Sequence, residues 1–493
     1  MLTNKEKSRT GKASKLVSLY AVLVFTLVSL YYENNYADMI EAKAGITVIV
    51  LSLLITFGIV FMIREKQFIQ KQKISAIDVA VFAFAGSSVI STLISQLRFS
   101  AFFGTNGWQV GTFQIVLLGL AYYIVSRNFV PRKGVFICSC AGIFIVLIIA
   151  VLNGLGIDVF GMHTGLSDSV SVNYLSTIGN INTFSGYLCL VLFFLVGSYV
   201  KYTGKLIRAT CAVLVFLASF CAFLCNSDSF WLGALFAAVV VGLYIRRSPE
   251  KTADFFGLGL VFSFASFIVS VLTFTDLIKT DFDGFTGFYI QHRIWIFCLI
   301  FFAVMQLVCK KFEAFINKRI NILTGGCLIL FGLVFTALVI YAVCHFDDTW
   351  GTFRGFIWKN SFAMFRQFNL KSKIFGVGTD CFGIVFNSCF GEQITEIYKM
   401  PVLNAHNEFL QYLITNGFFG VCSYGALYFC VIYDEIKNSE RGIVNINAVL
   451  PICAYFGQAL LNNPHMMNYI ILFFFISYVK KSSANMKGLV TYG

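Results

Sequence analysis

Ala44-Gly45-Ile46-Thr47-Val48-Ile49-Val50-Leu51-Ser52-Leu53-Leu54-Ile55-Thr56-Phe57-Gly58-Ile59-Val60-Phe61-Met62-Ile63 carries no charge, and its only hydroxyl side chains are Thr47, Ser52 and Thr56. A helix of about 20 such residues rises roughly 30 Å, the thickness of a bilayer's hydrocarbon core. Charges resume at both ends, with Lys43 before the run and Arg64 after it. Working outward, segments of the same kind lie near Leu16–Tyr31, Ala76–Ser95, Val110–Val125, Gly134–Leu152, Thr183–Val200, Leu206–Leu224, Phe230–Ile245, Phe255–Phe274, Ile290–Val308, Ile322–Cys344, Asn407–Tyr433, Val444–Leu461 and Met466–Val479. The chain is 58% hydrophobic and 12% charged, with a mean hydropathy of +0.79, which excludes a soluble globular domain. The expected fold is therefore an all-α polytopic membrane protein, residues 1–493 forming a single integral membrane domain with about 12–14 transmembrane helices.

The net charge of +13 is a matter of topology rather than of nucleic-acid binding. With the amino terminus inside, 27 of the 37 Lys and Arg residues fall on one face, from Lys5, Lys7 and Arg9 through Lys71, Lys73 and Arg127 to Arg441, Lys480 and Lys487. Lys/Arg asymmetry of this kind orients polytopic proteins, so both termini are expected to be cytoplasmic. Lys5 to Lys15 resembles a signal-peptide n-region. The nearest small-residue site, Ala42-Lys43-Ala44, lies well past the first apolar run, so an uncleaved anchor is expected. Cytoplasmic connections are short and basic, with no room for a nucleotide-binding domain.

One hydrophilic stretch, Cys344 to Asn407, interrupts the series of spans, and the charge map puts it outside. A connection of this length is expected to be functional. The loop, residues 345–406, is expected to contain an interfacial helix near Thr352–Phe368, because Phe353, Phe356, Ile357, Phe362 and Phe365 recur at helical spacing with Arg354, Lys359 and Arg366 among them. All five histidines, His163, His292, His345, His406 and His465, fall at or beyond the outer ends of spans. Cys381 and Cys389 lie in the loop and can pair in an oxidising compartment or remain free. No Cys/His cluster has zinc spacing. Asp347-Asp348 is a weak metal signal, and Gly376-Val377-Gly378 reads as a tight turn rather than a nucleotide fingerprint.

Three motifs follow one another in the loop: Arg354-Gly355-Phe356-Ile357-Trp358, Phe375-Gly376-Val377-Gly378-Thr379-Asp380-Cys381-Phe382 and Ala405-His406-Asn407-Glu408-Phe409-Leu410. Together they resemble the external loop of the bacterial O-antigen ligase and polymerase superfamily. Upstream, Ser176-Thr177-Ile178-Gly179-Asn180-Ile181-Asn182 followed by Gly186-Tyr187-Leu188 resembles the family's Gly-Asn-x-Asn start of a span. Phe103-Gly104-Thr105-Asn106-Gly107-Trp108 with Gly111 resembles its early external turn. The resemblance implies a glycosyltransferase at the outer face of the bacterial cytoplasmic (inner) membrane. It would take an undecaprenyl-diphosphate-linked saccharide as donor and a saccharide, lipid or protein as acceptor, with no cofactor and no metal. Two departures stand out. Asn226-Ser227-Asp228-Ser229 occupies a place where relatives often carry Ser-Arg, and Ile181 stands where many have Pro.

The chemistry of the residues agrees with that role. Displacing a sugar from a lipid diphosphate needs a base for the acceptor hydroxyl and cations for the leaving group. His406 has the intrinsic pKa for the base, and a helix starting at Asn407 would favour its neutral form. Its alternative is an interfacial histidine ending a span. Arg354 offers a permanently charged fork for phosphate oxygens, or else contacts headgroups. Arg293 and Arg366 are further candidate cations, against snorkelling for the first and solvated loop charge for the second. Asp228 would orient an arginine or the acceptor, or cap a span, and Asn407 is a candidate glycan contact. A transporter or flippase for lipid-linked glycan is the alternative function. It calls for charge pairs along several spans and repeated halves, neither of which is evident here.

Overall fold

The structure is a computed structural model that describes residues 11–67, 74–105, 109–278, 280–439 and 445–490. The basic run Lys5–Arg9, Lys71, Lys73, the turn residues Asn106-Gly107-Trp108, and Arg441 lie outside the described residues. Among the described residues the only strands are β1 (Tyr174–Leu175) and β2 (Gly179–Asn180), which pair antiparallel. The rest of the regular structure is helical: α1 (Lys12–Leu23), continued by a wider π-type turn Val24–Val28, α2 (Met39–Arg64), α3 (Ala76–Ile94), α4 (Arg98–Phe103), α5 (Thr112–Asn128), α6 (Lys133–Gly154) and α7 (Asp168–Ser171). There follow α8 (Ile181–Lys201), α9 (Lys205–Leu224), α10 (Asp228–Ile245), α11 (Thr252–Phe274), α12 (Gly284–Gln291), α13 (Ile294–Lys311) and α14 (Glu313–Cys344). The last six are α15 (Trp350–Gln367), α16 (Leu370–Phe375), α17 (Phe382–Tyr398), α18 (Glu408–Ser439), α19 (Ile446–Ala459) and α20 (Met466–Val490).

Ten helices among the described residues are long and apolar enough to cross a membrane: α2, α3, α6, α8, α9, α10, α11 with its preceding turn, α13, α14 and α18. The other four apolar segments read from the sequence also fold as helices, α1 with its π-type turn, α5, α19 and α20. The chain is thus an all-α polytopic membrane protein.

The chain folds into two compact units. The first comprises residues 1–142, 348–440 and 459–493, and the second 143–347 and 441–458. In the first, Gly142 of α6 lies against the Phe25 carbonyl, where a Cβ would approach to 2.1 Å. Small residues let membrane helices meet backbone to backbone. Asp78 at the start of α3 forms a capping box with Ser75. It also pairs with Arg127 at 3.1 Å and Lys480 at 2.8 Å, so a buried carboxylate on an otherwise uncharged helix is neutralised. In the second unit, Gly233 of α10 packs on the Ala454 carbonyl and Gly197 of α8 on the Asn447 backbone, which seats α19.

The long connection of the first unit has a hydrophobic core of its own. Phe356, Ile357 and Met364 of α15 bury against Phe382, Phe386 and Ile394 of α17, together with Val402, Ala405, Leu410 and Ile414. The expected helix near Thr352–Phe368 is present, but its first turn is irregular. Gly351, Thr352 and Phe353 all have positive φ, so regular helix starts at Arg354.

Candidate active site

Two glycines dock the long connection onto α18. Gly417 has φ +68 and breaks that helix, exposing the carbonyls of Ile414 and Thr415. These accept hydrogen bonds from the amides of Val377 (3.3 Å) and Gly378 (3.0 Å), and Ser91 of α3 donates to the Thr415 carbonyl as well (2.6 Å). Gly376 has φ +81, and a Cβ there would lie 2.1 Å from the Thr415 oxygen, so only glycine fits. The next element of the motif, Asp380, is buried. Its Oδ2 accepts from the amides of Thr105 (2.8 Å) and Val110 (3.1 Å). Burial raises the Asp380 pKa to about 6 in spite of those hydrogen bonds. Two of the sequence motifs, Phe103–Thr105 and Phe375–Phe382, thereby meet as scaffold.

On that scaffold Arg354 and His406 come together. Trp358 lies one turn beyond Arg354 on the same face of α15 and donates from Nε1 to the Ala405 carbonyl at 2.8 Å. The amide of Ala405 donates to Gln411 Oε1 (2.9 Å), so both sides of the peptide preceding His406 are fixed. His406 itself has φ +49, held by its amide donating to Asn404 Oδ1 (3.2 Å). Its ring is half-buried and close enough to Arg354 to feel its charge. Burial chiefly, and the guanidinium second, push the imidazole pKa down to about 3. The ring is therefore neutral at physiological pH and able to accept a proton.

Asn407 caps α18 by accepting from the Leu410 amide (2.9 Å), while its Nδ2 donates to the Leu460 carbonyl (2.9 Å). Both ends of this amide are thus engaged within the protein. Glu408 is fully buried, and its Oε2 accepts from Tyr469 (2.6 Å) and from Tyr424, whose hydroxyl also meets Tyr428 (2.7 Å). Arg366 is exposed in the last turn of α15, about 18 Å along the helix axis from Arg354. Asp348 pairs with Lys359 (3.1 Å). Cys381 and Cys389 are both free, one buried and the other exposed, about 12 Å apart along the helix that α17 forms and beyond disulfide reach.

Asp228 and Arg293 belong to the second unit. Asp228 Oδ1 accepts from the Phe285 amide (3.0 Å) at the start of α12, and Gly284 (φ +52) leaves room for that carboxylate. Asn226 binds Asp283 (2.8 Å), and Trp231 donates to Thr286 (2.9 Å). The segment that departs from the family pattern therefore anchors α12. Ser227 also donates to Asn182 (3.3 Å), joining it to the Gly179–Asn182 motif, in which Asn180 caps α8. Arg293 is exposed between α12 and α13 with φ +54, its guanidinium 5.8 Å from the Phe274 ring.

Sequence reasoning missed three features of the first unit. Trp358 acts as a strut, although its i+4 relation to Arg354 was visible. The Glu408 cluster has a signal too, since Tyr412, Tyr424 and Tyr428 follow at multiples of four residues. Asn463, whose Nδ2 lies 3.2 Å from His406 Nδ1, had only the polar run Asn462-Asn463-Pro464-His465 to mark it.

Residues 213–425 match the family model described as O-antigen ligase, an interval that contains Asp228, Arg293, Arg354, Arg366, His406 and Asn407. No curated protein matches the chain. The match implies O-antigen ligase-like function in general, with lipid-linked saccharide and glycan as the classes of partner. In its loop motifs and in that match, the chain is similar to the O-antigen ligase and polymerase superfamily.

Proposed function

We propose that the chain is a metal-independent glycosyltransferase. It moves or polymerises glycan from an undecaprenyl-diphosphate-linked donor onto a saccharide, lipid or protein acceptor, at the outer face of a bacterial cytoplasmic membrane. The observation that carries this reading is a neutral, half-buried imidazole held beside an arginine by a dedicated scaffold. His406 takes the proton of the acceptor hydroxyl as its oxygen attacks the anomeric carbon of the donor. The bond from that carbon to the diphosphate oxygen breaks, and lipid diphosphate leaves with the electron pair. Arg354 binds the oxygens on which the charge collects. Diphosphate is a good leaving group, so no general acid is required.

In this reading residues 345–406 form the extracytoplasmic catalytic loop, and both termini are cytoplasmic. Arg366 offers an exposed cation to glycan or diphosphate and Asn407 holds the backbone that presents His406, while in the second unit Arg293 is a further candidate cation and Asp228 anchors the start of α12. The test is a strain lacking the chain, complemented with wild type or with His406→Gln, in which surface glycan and carrier-linked glycan are both sized. Wild type should restore transfer, and a correctly inserted His406→Gln should leave glycan on the carrier. Restoration by His406→Gln would remove the proposed base. Tags within Lys371–Glu396 that report a cytoplasmic location would remove the mechanism altogether.

A further inference from the structure

His406 can serve as a base through Nε2 only if Nδ1 carries the proton of the neutral ring. The group in reach of Nδ1 is the carboxamide of Asn463, in the turn between α19 and α20. This amide is 6% exposed, and its Oδ1 is buried without a hydrogen-bond partner among the described residues. An orphaned buried carbonyl oxygen beside an imidazole is costly and needs an account. The two ends of a carboxamide are nearly isosteric, and a half-turn about the Cβ–Cγ bond exchanges them. With Nδ2 toward the ring, Nδ1 accepts and the proton sits on Nε2, whose remaining lone pair belongs to the aromatic ring, so that nitrogen cannot act as a base. With Oδ1 toward the ring, Nδ1–H donates to the amide, and Nε2 is left as the base.

The Asn463 turn is tied to the His406 strand independently. Asn407 Nδ2 binds the Leu460 carbonyl (2.9 Å), and the Asn463 amide N–H binds Asn462 Oδ1 (2.9 Å). The first bond ties the turn to the residue after His406, and the second orders the turn itself, so the contact does not depend on one side chain reaching across. The charged group facing the ring is Arg354, which disfavours imidazolium. Glu408, two residues on, has its carboxylate held by Tyr424 and Tyr469. A neutral amide is the partner that suits such a ring, because it fixes a tautomer without restoring the basicity that burial has removed. We infer that Asn463 is the positioning residue of the site, its Oδ1 accepting from His406 Nδ1–H so that Nε2 faces the acceptor hydroxyl.

The inference rests on His406 being the base, and the experiment separates the two. Full-length protein with ring-15N histidine is placed in lipid nanodiscs. His406→Gln assigns the His406 signals among the five histidines. Wild type should show Nδ1 protonated and Nε2 bare at pH 7. In Asn463→Leu the proton should move toward Nε2, and kcat for the lipid-linked saccharide accumulated by the deletion strain should fall on the order of 10–100-fold with KM little changed. Asn463→Asp keeps the acceptor and adds charge. It should retain the Nδ1–H tautomer and shift the acid limb of the rate profile to higher pH, a movement that a merely structural asparagine would not produce. Should Asn463→Leu fail to insert, the Asn463→Asp tautomer and acid limb decide alone. An Nε2–H tautomer in wild type would overturn the inference, as would an unmoved acid limb in Asn463→Asp. If His406→Gln is inactive while the Asn463 variants behave as wild type, only the positioning role falls. If His406→Gln is active, the base assignment falls with it.

Discussion

The His406 corner of the first unit and the Asp228 corner of the second are both polar clusters at helix ends, yet they use polarity differently. Around Asp228, side chains end on backbone or on one another. The carboxylate takes the Phe285 amide, Asn226 takes Asp283, and Trp231 takes Thr286. Around His406 the scaffold groups bind the flanking peptide, through Trp358, Gln411 and Asn404, while the ring meets, among the described residues, a single amide. The contrast teaches that a site is marked less by how many polar groups gather than by which of them keep a reactive atom uncommitted.

The largest test of that contrast is His406→Gln, expected to slow transfer by about 10²–10⁴ with membrane abundance unchanged. Because burial and Arg354 hold the imidazole near a pKa of about 3, wild-type transfer should keep its rate from pH 7 to pH 5. An ordinary imidazole would by then have lost roughly thirtyfold of its neutral form. A rate that titrates away near pH 6.5 would break the description of the corner. Next in size, Arg354→Ala should cost about 10²-fold in kcat. Arg354→Lys should also be poor, since an ammonium lacks the planar fork. Asp347→Ala with Asp348→Ala should be mild, and EDTA should leave transfer by purified protein intact. Chelator-killed activity restored by Mg²⁺ would reverse this part of the reading.

A third test bears on scaffold alone. Asp380→Ala strands the buried Val110 amide, at about 1–3 kcal/mol, and the partly buried Thr105 amide at less, whereas Asp380→Asn keeps an acceptor and should fold normally. The Asp380 pKa is raised in the fold, so its ionisation costs stability at neutral pH. Heat resistance in detergent should therefore rise as pH falls from about 6 towards 4, and the Asp380→Asn profile should lack that rise. The smallest effect belongs to the second corner. Asp228→Asn retains the acceptor for Phe285, and transfer should stay within about threefold of wild type. A loss comparable to that of His406→Gln would show that Asp228 does more than anchor α12.

What the sequence disclosed follows its periodicities. Spans such as α2 and α8 are legible because a run of apolar residues needs no partner to be recognised. His406 and Arg354 were legible through motifs, and Trp358 would have been through its spacing. Asn463 was not, since 57 residues separate it from His406 and no periodicity links a turn to a distant loop. Positive φ at Thr352 and Phe353 was equally hidden. It accompanies the irregular turn in which the Phe356 amide donates to the Asp348 carbonyl eight residues back (3.2 Å), a closure that follows no helical period. The role of Asp228 was left open between cap and ligand, and only the placement of Phe285 distinguishes a carboxylate engaged by backbone.

The private core of the long connection sets where this protein can be cut and rejoined. Because Leu410 and Ile414 of α18 belong to the same apolar cluster as Phe356, Phe382 and Phe386, the segment that carries Arg354 and His406 does not end where the helix begins. A chimera that imports a relative's loop with a junction at Asn407 would pair a foreign core with native plugs. One joined beyond Gly417 would carry the cluster, the broken turn of α18 and its exposed carbonyls as one inherited block. Acceptor specificity in this superfamily should therefore transplant with residues 348–417 as the exchangeable module, and fail with any shorter one.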